Sequence, residues 1–249
     1  MGVSGSIAEA VGESPINVAQ QVRNALSLNA LADIQAVTFD VGGTLIEPWP
    51  SVGHVYAEVA AKHGDHHFDP EILNRQFAAA WRAKVNFDYS RAAWAELVAK
   101  TFCPLEEGCL EINFFDQLYD RFAHREAWTV YSDVIPALEV LSERGLKLAV
   151  VSNWDERLRA LLGELGLDGY FQFLAISSEI GFHKPSPVIF QEAIRRLGVA
   201  PNRTLHIGDS FREDCEGSTQ AGLRALLLNR NGQRVCNEEV SSLTVLGFA

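Results

Sequence analysis

The sequence AVTFDVGGTL, residues 36–45, carries the strongest structural signal in the chain. Residues 36–40 are a short, nearly uncharged run that suits a buried β-strand and ends in Asp40. Gly42 and Gly43 then form a glycine-rich turn, where no Cβ prevents a ligand from approaching the backbone. The stretch therefore predicts a buried strand whose carboxyl end opens into a loop that carries an acid.

The second half of the chain alternates between helical and strand patterns. Short apolar runs predict four further strands at residues 148–152, 173–176, 205–209 and 225–228. The segments between them carry apolar residues at helical spacing and end at glycines. Buried strands that alternate with helices predict an α/β fold with a doubly wound, Rossmann-like parallel sheet.

Residues 49–128 contain four amphipathic helical patterns and no strand pattern. We therefore predict a helical cap at 49–128, inserted into an α/β core that comprises residues 35–48 and 129–249. The cap is expected near the carboxyl ends of the strands, where open α/β sheets bind ligands. Residues 1–34 are rich in glycine and serine in their first half and are predicted to be an N-terminal extension.

The composition limits the classes of function. The chain has 249 residues, 47% of them hydrophobic, and a net charge of −11, which disfavours nucleic acid and anionic membranes as partners. It contains no apolar run of about 20 residues and does not begin like a signal peptide, so a cytoplasmic protein is expected. The four cysteines form no C-x-x-C pair and are predicted to be reduced thiols. Oligomeric state has no sequence signal.

Polar residues stand at the ends of the predicted strands, where a parallel sheet would bring them together. They are Asp40, Ser152 with Asn153, Lys184 in the loop after the third strand, and Asp209 with Asp214. Each alone is commonly a helix cap or a solvated loop residue. Their joint order at successive strand ends predicts a functional site.

The residue types at these strand ends suit a phosphate and a hard metal ion. The carboxylates would repel one another unless a cation such as Mg²⁺ lay between them. Lys184 and the Ser152 hydroxyl offer a positive charge and a hydrogen-bond donor to a phosphate. The amides of Gly42 and Gly43 can approach an anion closely.

These segments, in this order and spacing, resemble the four motifs of the haloacid dehalogenase-like (HAD) hydrolase superfamily. The resemblance covers about residues 36–230, and the helical insert is similar to the cap of subfamily I. Residues 147–153 and 187–193 resemble the branch called hydrolase domain-containing protein 3. The resemblance implies a Mg²⁺-dependent phosphohydrolase that acts on a small phosphorylated substrate.

The resemblance also implies a role for each motif residue. Asp40 would be the nucleophile, and Ser152 and Lys184 would hold the phosphoryl group, with Lys184 also neutralising Asp40. The implied metal ligands are Asp40, the Gly42 carbonyl, Asp209 and, directly or through water, Asp214. The implied substrate-binding residues are Gly42, Gly43 and Asn153.

Gly42 departs from the usual first motif of the family, Asp-x-Asp-Gly-Thr. In the family's phosphatases the second Asp protonates the leaving group and then activates water, and glycine can do neither. Such help is worth about 10²–10⁴-fold in rate, or roughly 3–5 kcal/mol. Activity could be weak or limited to good leaving groups, Glu47, His54 or His183 could supply the proton, or turnover could be lost.

Three other functions are compatible with the missing acid. A 2-haloacid dehalogenase uses an Asp nucleophile and releases halide without a proton, but it uses no metal, and Asp209 with Asp214 would repel a haloacid carboxylate. A phosphonate hydrolase would need a cap lysine, and Lys62, Lys84 and Lys100 are available, but none has a specific signature. A pseudoenzyme that binds phosphate or protein is supported by Gly42 and opposed by the presence of the other motif residues.

The cap is expected to select the substrate and to move on hinges near Glu47–Ser51 and Trp128–Asp133. The candidate cap residues that face the substrate are His54, Arg82, Arg91 and Trp94. The tryptophans Trp49, Trp81, Trp94 and Trp128 are predicted to lie mostly in the cap core or at the domain interface.

Overall fold

A computed structural model describes residues 33–63, 67–103, 113–230 and 239–246. Its strands are β1 (Ala36–Phe39), β2 (Ile46–Pro48), β3 (Trp128–Val130), β4 (Lys147–Ser152), β5 (Phe173–Ile176), β6 (Thr204–Gly208), β7 (Arg224–Leu228) and β8 (Glu239–Val240). Its α-helices are α1 (Val52–Lys62), α2 (Pro70–Ala83), α3 (Arg91–Phe102), α4 (Phe115–Arg121), α5 (Val134–Glu143), α6 (Arg157–Glu164), α7 (Ser177–Ile180), α8 (Pro187–Leu197) and α9 (Gly217–Gln220). A π-helical turn, Phe211–Glu216, precedes α9.

The core is a six-stranded parallel sheet in the order β5-β4-β1-β6-β7-β8. β1 lies between β4 and β6, and all four of its residues are buried because helices cover both faces of the sheet. Phe39 is in register with Val150 of β4 and Ile207 of β6. The carboxyl ends of these three strands therefore meet at one edge, which confirms the predicted doubly wound α/β fold.

The strand predictions were accurate within one residue at each end. β5 has the predicted bounds, whereas β4, β6 and β7 each begin one residue earlier than the apolar pattern indicates. In β6 the extra residue is Thr204, which is buried and paired with Ala36. The short strands β2, β3 and β8 were not predicted, because two or three residues carry too little pattern to separate a strand from a loop.

Four helices, α1 to α4, lie between β2 and β3 and form the inserted cap. Three of them begin at side chains that accept a hydrogen bond from the first helical turn, namely Ser51, Asp69 and Ser90. The cap has its own apolar core, in which Tyr56 stacks on Phe102 with ring centroids 5.6 Å apart. This cluster is separate from the apolar residues that pack on the sheet.

The antiparallel ribbon of β2 and β3 marks both chain crossings between core and cap. Ile46 pairs with Val130, and Pro48 pairs with Trp128, so the two crossings are held side by side. The predicted hinge segments overlap this ribbon. Hinge motion about it stays a prediction.

The proposed extension at residues 1–34 lies outside the described residues except for Asp33 and Ile34. Ile34 is buried in the core and so belongs with β1 rather than with a solvated arm. Within the described ranges, no helix is both long enough and apolar enough to cross a membrane.

The prediction of four reduced thiols was wrong for Cys103, which is disulfide-bonded. Spacing along the sequence failed as a guide because folding can bring together cysteines that form no recognisable motif. Cys215 keeps its thiol. Cys109 and Cys236 lie outside the described residues.

Candidate active site

The centre of the site is a buried lysine between two carboxylates. Lys184 Nζ donates to Asp40 Oδ1 at 2.7 Å and to Asp214 Oδ1 at 2.6 Å. Ser152, the last residue of β4, donates its hydroxyl to the same Asp40 oxygen at 2.9 Å. The structure thus brings together residues separated by 112 and 144 positions in the sequence.

Asp214 is fixed from inside the sheet. Its Oδ2 accepts from the Ser210 amide at 2.9 Å, and its Oδ1 lies 3.0 Å from His206 Nε2. His206 is fully buried, and this burial lowers its pKa, so we take the imidazole as neutral. Nε2–H then donates to Asp214, while Nδ1 accepts from the Thr38 hydroxyl at 2.9 Å. These polar residues inside β1 and β6 were missed, although a His and a Thr in otherwise apolar strands were a visible signal.

Three carboxylates, those of Asp40, Asp209 and Asp214, place oxygen atoms within 4.8 Å of one another. Burial raises the pKa of Asp40, and the Asp214 charge adds to this effect against the opposing charge of Lys184. The Asp209 side chain is partly exposed to solvent. Its pKa is nevertheless raised to about 8, first because protein atoms displace water around the carboxylate and then because of the negative charges of Asp40 and Asp214. The protein alone therefore does not neutralise this cluster.

The charges around Lys184 fit a divalent cation. Burial alone would lower the lysine pKa, but Asp214 and Asp40 raise it, so its ammonium stays charged. With all three carboxylates ionised, one ammonium would leave an excess of two negative charges, and the raised pKa values of Asp40 and Asp209 reflect the cost of that excess. Carboxylate oxygens are the ligands that Mg²⁺ prefers. The donor set thus fits this ion in both charge and chemical type.

Gly43 is required by the shape of the first motif. Its φ of +75° lies in the left-handed region, and a Cβ there would collide with the Asp209 carboxylate. The glycine therefore lets the β1 loop pass directly beside the end of β6. This close approach is what brings Asp40 and Asp209 to the same cluster.

Gly42 lies against an indole ring. A Cβ at Gly42 would lie 3.3 Å from the six-membered ring of Trp154, tighter than an ordinary contact. Trp154 follows Asn153 after β4 and packs against Trp128, with ring centroids 5.2 Å apart. An aromatic side chain therefore borders the space into which an acidic side chain at position 42 would extend.

Asn153 holds the loop that carries the lysine. Its Oδ1 accepts from the Lys184 amide at 2.6 Å, and its Nδ2 donates to the Lys184 carbonyl at 3.0 Å. Nδ2 also lies 3.1 Å from Glu213 Oε2 and 3.3 Å from the Tyr89 hydroxyl. The side chain thus links core, loop and cap, in addition to lining the cavity.

A cavity of about 440 Å³ lies between this floor and the cap. Six of the predicted site residues line it, namely Asp40, Gly42, Gly43, Ser152, Asn153 and Asp209. Lys184 and Asp214 contact Asp40 from behind this surface. Among the residues that the structure describes, the proposed proton donors Glu47, His54 and His183 do not line the cavity.

Of the cap residues predicted to face the substrate, Trp94 lines the cavity, whereas His54, Arg82 and Arg91 do not. The assignment of the tryptophans to the cap core or the domain interface was incomplete, because Trp81, Trp94 and Trp128 all line the cavity. Helical spacing identifies a buried face but does not tell whether another side chain or a cavity covers it. Trp49 is 56% exposed.

Tyr89, Arg157 and Glu213 also line the cavity and were missed, and Lys84 was named only as one of three cap lysines without a signature. Lys84 Nζ lies 3.6 Å from the centre of a Trp81 ring, and burial lowers its pKa against the opposing charge of Glu213. Burial raises the pKa of Glu213. No sequence motif marks Lys84, Tyr89 or Arg157, whereas Glu213 stands beside Asp214 in the fourth motif.

A family model described as haloacid dehalogenase-like hydrolase matches residues 34–222. The chain belongs to the haloacid dehalogenase-like hydrolase family. This HAD hydrolase is 34% identical over 206 residues to the human haloacid dehalogenase-like hydrolase domain-containing protein 3, covering 78% of this chain and 82% of that protein. The predicted resemblance to that branch is confirmed.

Two further comparisons involve phosphatases. The HAD hydrolase is 40% identical over 106 residues to a glyceraldehyde 3-phosphate phosphatase of Methanopyrus kandleri, which covers 40% of this chain and 43% of the relative. It is also similar to the crystal structure of a HAD phosphatase from Thermococcus onnurineus. That match has a TM-score of 0.62 and 26% identity, and it covers 86% of this chain and 96% of the other. The family and these relatives support a hydrolase.

Proposed function

We propose that this HAD hydrolase is a Mg²⁺-dependent phosphohydrolase that acts on a small phosphorylated metabolite through an aspartyl-phosphate at Asp40. The observation that carries the proposal is the environment of the Asp40 carboxylate. Lys184 and Ser152 both bond its Oδ1, and two further carboxylates surround it. A cluster with excess negative charge at the floor of a cavity is suited to a cation and, through that cation, to a phosphate.

The proposed metal ligands are Asp40, the Gly42 carbonyl, Asp209 and, directly or through water, Asp214. When bound, Mg²⁺ would supply positive charge that draws the phosphate to the carboxylates and stabilises the transition state. Asp214 has a second role in this proposal. Its contacts with His206 and the Ser210 amide fix the carboxylate that in turn positions Lys184.

The reaction has two displacement steps at phosphorus. In the first, a carboxylate oxygen of Asp40 attacks the phosphorus atom, and the bond to the leaving oxygen breaks. The Lys184 ammonium, the Ser152 hydroxyl and the Gly42 amide hold the phosphoryl oxygens. The Gly43 amide, which was also predicted to bind the anion, instead donates to the Ile46 carbonyl at 2.8 Å. The leaving oxygen departs as an anion and takes its proton from solvent, because no acid is present at position 42.

In the second step, water attacks the phosphorus atom of the aspartyl-phosphate. The bond between phosphorus and the Asp40 oxygen breaks, which releases inorganic phosphate and restores the carboxylate. Without an acidic side chain at position 42, the water loses its proton to solvent. Both steps are therefore expected to be slower than with an acid, and the first step depends strongly on how stable the leaving anion is.

The test is Mg²⁺-dependent hydrolysis of acetyl phosphate, p-nitrophenyl phosphate and an alkyl phosphate, with Asp40→Asn as the control. We expect turnover of the two activated substrates, little turnover of the alkyl phosphate, and loss of all activity in Asp40→Asn and after metal removal. Comparable rates on the alkyl phosphate would show that another residue supplies the proton. Absence of turnover in a folded protein that still binds Mg²⁺ and phosphate would instead support a binding-only protein.

A 2-haloacid dehalogenase is the second candidate, and Gly42 is the observation that favours it, since a departing halide needs no proton. The carboxylates of Asp209 and Asp214 beside Asp40 oppose it, because they would repel a haloacid. Chloride release from 2-chloropropionate by the metal-free protein distinguishes the two functions. Release under these conditions, together with no metal binding, would replace the phosphohydrolase by the dehalogenase.

A further inference from the structure

The cavity has a polar floor and aromatic walls. The core and the cap both contribute rings to the walls, including Trp154 and Trp128 from the core side and Trp81, Trp94, Phe77 and Tyr89 from the cap. Aromatic rings offer large, flat and weakly hydrated surfaces, which favour flat apolar ligands over heavily hydrated ones. The walls and the floor therefore select for different chemical groups.

Several of these rings hold one another in place. Trp81 lies nearly parallel to Trp94, with centroids 5.8 Å apart and 18° between the ring planes. Phe77 is likewise nearly parallel to Trp81, at 6.0 Å and 17°. The edge-on contact of Phe87 with Trp94, at 5.0 Å, closes the group from the side. The cap thus presents a preformed aromatic surface.

The cations of the wall already have partners. Lys84 lies over the Trp81 ring, and Arg157 bonds both oxygens of Asp155, at 2.8 and 2.7 Å. Arg157 also donates to the Tyr119 carbonyl at 2.7 Å. A second anionic group on the substrate would have to compete with the Asp155 carboxylate for Arg157, so the walls are poorly suited to a bisphosphate.

Trp154 marks the side of the site at which the leaving group departs. A side chain at position 42 would carry the acid that serves the leaving oxygen, and Trp154 lies 3.3 Å from the position of its Cβ. The indole therefore borders the leaving group instead of an acid. An aromatic alcohol is a suitable leaving group for two reasons. Its ring can pack on the Trp154 indole, and it can depart as a resonance-stabilised anion without being protonated.

We propose that the substrates of this site are aryl phosphate monoesters, whose phosphate lies on Asp40 and whose aromatic ring packs between Trp154 and the cap tryptophans. This inference rests on the proposed phosphohydrolase function. A cavity of about 440 Å³ has room for a phosphate and one or two fused rings. The selecting feature is aromatic character in addition to leaving-group acidity.

The experiment separates these two properties. Phenyl phosphate and 2-naphthyl phosphate are compared with hexafluoroisopropyl phosphate, an aliphatic ester whose alcohol is about as acidic as phenol. Acetyl phosphate serves as the reference for turnover itself. We expect kcat/KM to be at least about tenfold higher for the aryl esters, since burial of a ring contributes this much or more to binding.

Substitutions of the cap tryptophans test which side chains produce the preference for aryl esters. Trp81→Leu and Trp94→Leu are expected to lower the ratio of kcat/KM for 2-naphthyl phosphate to that for acetyl phosphate by about three- to tenfold, through loss of ring contacts. Trp49→Leu is the matched control, because this exposed tryptophan is not among the residues that line the cavity. It should leave the ratio unchanged.

The outcomes distinguish this inference from the proposed function. Asp40-dependent turnover of acetyl phosphate with equal kcat/KM for the aryl and aliphatic esters would overturn the aryl preference and keep the phosphohydrolase. If no substrate turns over, calorimetry with benzylphosphonate and methylphosphonate in the presence of Mg²⁺ still tests the aromatic site. Tighter binding of benzylphosphonate by the parent protein, reduced in Trp94→Leu, would support it, and equal binding would overturn it.

Discussion

Two buried ion pairs in the core differ in their charge balance, although each joins a basic side chain to an aspartate. Arg230 donates to both oxygens of Asp133, at 3.1 and 3.0 Å, and the Ser242 hydroxyl and the Leu243 amide donate to the same carboxylate, at 2.7 and 2.8 Å. Burial opposes ionisation of Asp133, but these hydrogen bonds outweigh it and lower its pKa. The charges of Arg230 and Asp133 therefore balance each other.

The Lys184 cluster has the opposite balance. Its lysine faces Asp40 and Asp214 with Asp209 nearby. The pKa of Asp214 is lowered, because the Lys184 charge and the His206 hydrogen bond outweigh its burial, but the pKa of Asp40 is raised rather than lowered. A carboxylate that the protein neutralises by itself has a structural role, whereas a cluster left with excess charge in a cavity needs a ligand. The comparison thus separates a fold-stabilising pair from the candidate active site.

The largest expected effect concerns the two aspartates. Asp40→Asn should lower Mg²⁺-dependent hydrolysis of acetyl phosphate by at least about 10⁴-fold, because the nucleophile is removed. Asp133→Asn keeps the shape of its side chain and lies outside the cavity, so kcat should change by less than about twofold once the folded fraction is matched. A similar loss of kcat in both variants would contradict the assignment of a catalytic role to Asp40 and a structural role to Asp133.

Stability in the absence of metal gives the second contrast. Lys184→Met should lower the free energy of unfolding by about 3–5 kcal/mol in EDTA, because it leaves buried carboxylates without their cation. Arg230→Met should cost about 2 kcal/mol, since Asp133 keeps two other donors. Urea unfolding measures both.

Addition of Mg²⁺ extends the same measurement. It should restore part of the stability of Lys184→Met, because binding to the native state alone stabilises it. It should leave the difference between Arg230→Met and the parent protein unchanged. If Mg²⁺ stabilised neither Lys184→Met nor the parent protein, the cluster would not attract the ion.

The third prediction concerns Gly42 and the ring beside it. Gly42→Asp alone should not increase hydrolysis of an alkyl phosphate, since Trp154 borders the space for the new side chain. The double variant Gly42→Asp/Trp154→Ser should increase kcat for the alkyl ester by about 10²-fold, within the range of general acid catalysis. Trp154→Ser is the matched control. A full gain from Gly42→Asp alone would show that the ring is no obstacle.

The smallest effect is the pH dependence of the Arg230 pair. The pKa of Asp133 is lowered from 3.8 on folding, so its contribution to stability is present above that value and is lost as the pH falls through the folded pKa. The difference in unfolding free energy between the parent protein and Asp133→Asn should therefore be constant above about pH 5 and shrink as the pH falls below it. A difference that stays constant down to about pH 2 would contradict the lowered pKa.

Much of the fold and of the site floor could be predicted because the signals were local. β1 and β5 are short apolar runs, and the residue after β1 is Asp40. Parallel strands have their carboxyl ends at one edge, so the order of polar residues at strand ends was enough to bring Asp40, Ser152 and Lys184 together. The register of β1 with both neighbours satisfies this expectation.

The walls of the site could not be predicted in the same way. Trp81 and Trp94 lie on helices α2 and α3. The apolar pattern of a helix is the same whether its apolar face packs against another helix or lines a cavity. Trp154 is a single residue after a strand, and its contact with Gly42 depends on how two loops fold against each other. Arg157 donates to the Tyr119 carbonyl, 38 positions earlier in the sequence, and no local pattern shows this contact.

The sequence by itself determined the parallel α/β core, the inserted helical cap, the family and the set of polar residues at the strand ends, because periodicity and strand direction are properties of local chain segments. Only the tertiary structure decided that His206 and Thr38 fix Asp214, that Trp154 lies beside Gly42, and that the cap lines the cavity with aromatic rings. These features arise from packing between distant segments, and the energy of such contacts depends on distances that no local pattern encodes.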